Sequence, residues 1–134
     1  MVLVCATNPE NYSRLIYAGF ELSQLQHLPL KVICVRPKED TEWLASKESE
    51  SLFNLSANLG AELVVIFHDS ASEAVDHYIQ HQDVGFVLVG MPPQVGQSVF
   101  ISELEDHFPE LPIITIDEQG LLQLVPATRE YAEF

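Results

Sequence analysis

Five short apolar runs, each parted from the next by a stretch of helical periodicity, constrain this chain more than any other feature. They are Met1–Ala6 (MVLVCA), Leu30–Val35 (LKVICV), Leu63–Phe67 (LVVIF), Val84–Val89 (VGFVLV) and Ile113–Ile116 (IITI). Runs this short and this rich in valine and isoleucine suit strands covered on both faces, as in a parallel sheet. Between them, Leu15, Ala18, Gly19, Leu22 and Leu25 recur at three- and four-residue spacing. So do Leu52, Leu55 and Leu59, then Ala74, Val75, Tyr78 and Ile79, then Phe100, Ile101, Leu104 and Phe108. Each set forms one apolar helix stripe. The resulting β-α-β-α-β-α-β-α-β order predicts an α/β fold: a three-layer, doubly wound open sheet of five parallel strands joined by right-handed crossovers.

The punctuation agrees with these boundaries. Asn8-Pro9-Glu10 reads as a helix start, with Asn8 as the cap, and Ser70–Glu73 (SASE) as a capping box. Gly60 sits where a helix C-terminal glycine belongs, and Pro109 ends the last helix. Within Glu39–Leu59 the stretch Ala45–Ser51 (ASKESES) is polar all round and reads as a solvated or mobile extension. After Asp117-Glu118-Gln119-Gly120, the run Leu121–Val125 (LLQLV) predicts a hairpin that adds an antiparallel edge strand. Residues 1–117 are expected to form the α/β domain, and 118–134 the edge strand and a tail.

Charge excludes some functions. The 20 acidic and 6 basic residues give a formal net charge of −14, which repels nucleic acid and anionic membrane. No apolar run approaches the roughly 18 residues of a membrane span. The chain enters a strand at once, with no basic leader or cleavage site, so a cytoplasmic location is expected. Cys5 and Cys34 lie in apolar runs and read as reduced, packed thiols, able to meet if their strands are neighbours.

Several segments together resemble the universal stress protein family: Val4-Cys5-Ala6-Thr7 leading into Ser13-Arg14-Leu15-Ile16, Leu59–Val65 (LGAELVV), Val84–Gly90 (VGFVLVG) and Leu111–Ile116 (LPIITI). The resemblance is closer still to the related domain of potassium-responsive sensor kinases. It implies a flavodoxin-like sheet of the adenine-nucleotide-binding superfamily, a homodimer through the C-terminal edge strand, a stress-related or regulatory role, and ATP or AMP as the ligand. The implied cofactor-binding positions are Thr7, Asn8, Val35, His68, Gly90, Gly96 and Ser98.

The sequence departs from the ATP-binding pattern in three places. Thr7-Asn8 supplies no acidic residue after the first strand. Gly90 matches the first loop glycine, but Pro93 stands where the second belongs, and Gly96-Gln97-Ser98 closes the loop several residues early. A phosphate cradle needs backbone N–H groups aimed at the anion, and Pro92 and Pro93 have none. Gly96, Ser98 and the following helix start can still hold one anionic group. Nucleotide binding is therefore expected to be weak or degenerate.

Other chemistry is sparse. Glu73, His77 and His81 share one helix face at metal-ligand spacing, although a solvated polar face explains them as well, and no metal is assigned. His68-Asp69 follows the third strand and either meets a ligand there or caps the turn before Ser70. There is no Gly-x-Ser-x-Gly elbow and no Gly-Lys-Ser/Thr loop, so no enzyme is predicted beyond a residual ATPase. A second reading is a regulatory protein-interaction module that binds no nucleotide, with Tyr12, Trp43 and Tyr131 as partner contacts. A third is a small-molecule enzyme using His68 and Asp69.

Overall fold

The computed structural model describes residues 1–6, 12–90, 99–117 and 119–125. In chain order the elements are β1 (Val2–Cys5), α1 (Tyr12–Gln26), β2 (Leu30–Arg36), a 3-10 helix (Thr41–Ala45), α2 (Lys47–Asn58), β3 (Glu62–Phe67) and α3 (Ala71–Gln80). There follow β4 (Phe86–Gly90), α4 (Val99–His107), β5 (Ile113–Ile116) and β6 (Leu122–Val125). The strands form one sheet in the order β3-β2-β1-β4-β5-β6. All neighbours are parallel except β5 and β6, which pair antiparallel from Ile113↔Val125 to Ile116↔Leu122. This is the expected doubly wound sheet with its added edge strand.

Alternation along the strands divides the core into two layers. Val2, Val4 and Ala6 of the first strand and its extension join Val32, Cys34, Leu88 and Ile116 on one face, beneath Leu15 and Ile16 of α1 and Leu52 of α2. Leu3, Cys5, Ile33, Val87, Val89 and Ile113 line the other face, against Val75 and Ile79 of α3 and Ile101 and Leu104 of α4. Cys5 and Cys34 therefore sit on adjacent strands but on opposite faces of the sheet. The expectation that they could meet is overturned by the pleat.

Helix ends show why the connections turn where they do. His27 closes α1 with φ 56°, and Leu28 N–H reaches back to Ser23 O at 3.0 Å, a left-handed C-terminal cap held by a non-glycine residue. Ser46 caps α2 by accepting from Ser49 N–H, and Ser70 caps α3 by accepting from Glu73 N–H. Gly60 (φ 71°) and Gly120 (φ 86°) take the left-handed turns after α2 and before β6. In the second turn Asp117 Oδ1 accepts from both Gln119 and Leu121 N–H.

Two expectations are corrected here. The polar segment 45–51 is not solvated all round: Ser46 starts a helix there, and Ser49 is buried, while Ala45, Lys47, Glu50 and Ser51 are exposed as expected. Tyr12 and Trp43, read as free for partner contacts, are core residues at 8% and 6% exposure. Tyr131, named with them, lies outside the described residues. On the opposite face His107 Nδ1 meets Asp76 Oδ2, tying the end of α4 to α3.

Candidate functional site

The chain winds outward from β1 through β2 to β3 and then returns to the other side of β1 with β4. The strand order reverses between β1 and β4, and in open α/β sheets a ligand binds in the crevice outside the carboxyl ends at such a point. On one side of it, Ala6 N–H donates to Ile33 O at 2.9 Å, ending the β1 ladder. On the other, Gly90 is the last residue of β4, in register with Ile116. Thr7, Asn8, Gly96 and Ser98 lie outside the described residues.

The remaining positions are spread along the edge. Val35 is near the end of β2, in register with Ile66, and packs toward α3 and α4. With strands about 4.8 Å apart, β2 stands about 10 Å from β4 and β3 about 14 Å. His68 follows β3 and is engaged locally: its Nδ1 accepts from Ser70 N–H at 2.9 Å, its N–H donates to Arg36 O, and its Nε2 lies 3.8 Å from Glu73 Oε2. Asp69 Oδ1 accepts from Lys38 N–H at 3.1 Å. His68 and Asp69 thus lace the turn after β3 to the turn after β2. Glu73 leans on His68, while His81 Nδ1 contacts His77 O at 2.8 Å and the two rings lie 4.3 Å apart. Among the described residues no three histidines, cysteines or acids gather as a metal would require.

A polar cluster not anticipated from the sequence caps the carboxyl end of β2. Glu48, in the first turn of α2, accepts at Oε2 from Trp43 Nε1–H at 2.5 Å and from Tyr12 O–H at 3.4 Å. Arg36 donates to Asp40 Oδ2 through Nε (3.1 Å) and Nη2 (2.5 Å), and its guanidinium lies 5.5 Å from the Trp43 ring centre. Asp40 strengthens the protonation of Arg36, the partner hydrogen bond being the main cause. Burial pushes the Tyr12 phenol above its ordinary range, with Cys34 and Glu48 adding to the effect. Burial likewise raises Cys34, and raises Cys5 to about 12. Burial thus disfavours the reactive thiolate at both positions. Beside the cluster, between the start of α1 and α2, opens a cavity of about 360 Å³ lined by Tyr12, Ser13, Glu48, Ser51, Leu52 and Leu55. The sequence signal for Glu48 is the Ser46 cap: a helix starting at Lys47 places Glu48 in its first turn, next to the positive helix end.

No protein-family model and no curated protein sequence matches the chain. Solved structures do. A universal stress protein from Archaeoglobus fulgidus superposes with a TM-score of 0.66 at 13% identity, over 85% of this chain and 90% of that one. The fold is that of the universal stress proteins. A second structure of the universal stress protein from the same organism, in complex with dAMP, superposes with a TM-score of 0.59 at 15% identity, over 85% of this chain and 94% of that one. Among the described residues of this universal stress fold, no helix is long and apolar enough to cross a membrane.

Proposed function

We propose that the chain is a regulatory, stress-linked domain on the universal stress fold that works as a cytoplasmic homodimer and holds an adenine mononucleotide weakly without turning it over. The observation carrying this reading is the reversal of strand order between β1 and β4. In open α/β sheets ligands bind at such a point, and one solved structure with this fold is a complex with dAMP. Weakness follows from the sequence: Thr7-Asn8 comes after the first strand in place of an acid, and Pro92-Pro93 comes after the fourth without N–H groups. Titration with AMP, dAMP and ATP by calorimetry is expected to give dissociation constants near millimolar, with no loss of γ-phosphate over hours. No binding at several millimolar removes the nucleotide; phosphate release removes the non-catalytic role.

The dimer is assigned to β6. Leu122 and Leu124 pair with Ile116 and Ile114, yet they stay 55% and 54% exposed on the face that α1 and α2 cover elsewhere. The strand LLQLV carries no charge, whereas solitary edge strands are ordinarily protected by one. A second copy adding its β6 across a two-fold axis continues the sheet and covers these leucines. Light scattering is expected to report a dimer that the Leu122→Lys, Leu124→Lys double variant converts to monomer. A dimer unaffected by these changes removes the edge role. The same uncharged edge favours the second reading, an interaction module that binds no nucleotide, should the titrations be blank.

A further inference from the structure

We propose that the cavity between the start of α1 and α2 is a binding site for a small primary ammonium ion, with Glu48 as its counter-ion. The cavity's described lining includes no residue of β1 or β4, and the proposal does not depend on the nucleotide reading. Four observations carry it. The volume, about 360 Å³, lies within the range of small-ligand pockets, and Leu52 and Leu55 give it an apolar wall for a short alkyl chain. Both hydrogen bonds to the Glu48 carboxylate fall on Oε2, and among the described residues none reaches Oε1. The indole and the phenol hold that carboxylate in place before any ligand arrives, so little side-chain freedom is lost on binding.

The third observation is the balance of donors and acceptors. Glu48 is the one charged residue among the described lining residues, the Ser13 and Ser51 hydroxyls can accept as well as donate, and no lysine or arginine is among them. An ammonium group has three donors and no acceptor, which matches such a wall, while an anion would face the carboxylate directly. The nearby guanidinium of Arg36 gives its hydrogen bonds to Asp40, and Glu48 is the last and smallest of the charges that favour its protonation. Fourth, a net charge of −14 draws cations toward the surface at long range.

The test uses n-butylamine against the full chain in 150 mM NaCl at pH 7.5, followed by NMR through the Trp43 indole N–H and the backbone amides of α1 and α2. Saturable binding is expected with a dissociation constant on the order of 1 mM, the scale reached by efficient ligands of a few heavy atoms. Glu48→Gln keeps an acceptor for the indole but loses the charge, and it should weaken binding at least tenfold. Glu50→Gln removes the same charge from the exposed side of the same helix and should leave binding within twofold. n-Butanol should bind at least tenfold more weakly than the amine. Ser51→Leu, at an exposed position, narrows the cavity with Glu48 intact and should also abolish binding, which keeps the test decisive if Glu48→Gln disturbs the fold. The proposal is overturned by no saturation up to 20 mM amine, by retained binding in Ser51→Leu or a folded Glu48→Gln, or by an equal effect of Glu50→Gln.

Discussion

At Gly19 α1 lies close against the sheet, and replacing it tests how the layers are spaced. A Cβ built there would overlap the Val4 Cγ2 methyl and stand 3.2 Å from Leu30 Cδ1 and 3.8 Å from Leu88 Cδ2. Val4 is fully buried on a central strand, and its β-branched side chain has few alternative rotamers. The clash is therefore relieved by lifting α1, at the expense of the Leu15 and Ile16 contacts beneath it. Overpacking of this kind costs about 1–3 kcal/mol. Alanine in place of glycine inside a helix returns about 1 kcal/mol. Gly19→Ala should thus destabilise by about 1 kcal/mol in spite of its better helix propensity.

A double-mutant cycle makes the argument sharper. Val4→Ala alone removes two buried methyl groups and should cost about 2–3 kcal/mol through lost transfer energy and the cavity left behind. With Gly19→Ala added, the new methyl occupies the vacated space, so the double variant should be more stable than Val4→Ala. The coupling energy is then about 1–3 kcal/mol. Urea unfolding read from Trp43, the single tryptophan and a buried one, measures all four proteins. A Gly19→Ala chain more stable than the parent, or a double variant additive within about 0.5 kcal/mol, refutes the close seating of α1.

Two further changes probe the helix end and the buried thiol. His27→Gly relieves the left-handed conformation that His27 holds at φ 56° and should stabilise by about 1 kcal/mol. Calorimetry should then show a Tm higher by about 3 °C, and an unchanged or lower Tm contradicts the cap. Cys5, raised in the fold to about 12 from 9.0, keeps its proton where the unfolded chain loses it. Its contribution is complete below pH 9 and falls as pH rises from 9 toward 12, at up to about 1.4 kcal/mol per pH unit. Urea midpoints from pH 8 to 10.5 should therefore drop less steeply in Cys5→Ala, with the remaining slope from Tyr12 and Cys34; equal slopes in both proteins refute it.

The strands were legible because burial on both faces writes them as unbroken apolar runs, and Gly60 and Ser70 marked helix ends through their own backbone chemistry. What periodicity could not supply was which side of a helix is in. Leu25 fits the α1 stripe yet is 76% exposed, while Ser23 is buried because its hydroxyl donates to Phe20 O within the helix. The segment 45–51 hid its role for a similar reason. A polar stretch is scored as solvated, but Glu48 is held by two aromatic partners, 5 and 36 residues away in sequence. No local pattern encodes a contact of the second kind. The same holds for Cys5 and Cys34, whose strands prove to be neighbours but whose opposite faces depend on register.

For the proposed weakness of nucleotide binding, two causes compete, the field of the acidic chain and the chemistry of the loop, and magnitudes separate them. A carboxylate about 10 Å from a phosphate charge repels it by about 0.4 kcal/mol in water, before a Debye length of about 8 Å screens it further. Several such groups together amount to about 1 kcal/mol at physiological salt, and they act on any anion at this surface. A hydrogen bond to a charged group contributes about 1.5–3 kcal/mol, and each proline in a cradle removes one donor outright. Pro92 and Pro93 together outweigh the field. Replacing both with glycine should therefore tighten AMP binding by tenfold or more at constant salt, whereas raising salt from 50 to 300 mM in the parent should change it by less than about threefold. A strong salt response with no gain from the glycines would assign the weakness to charge and not to the missing N–H groups.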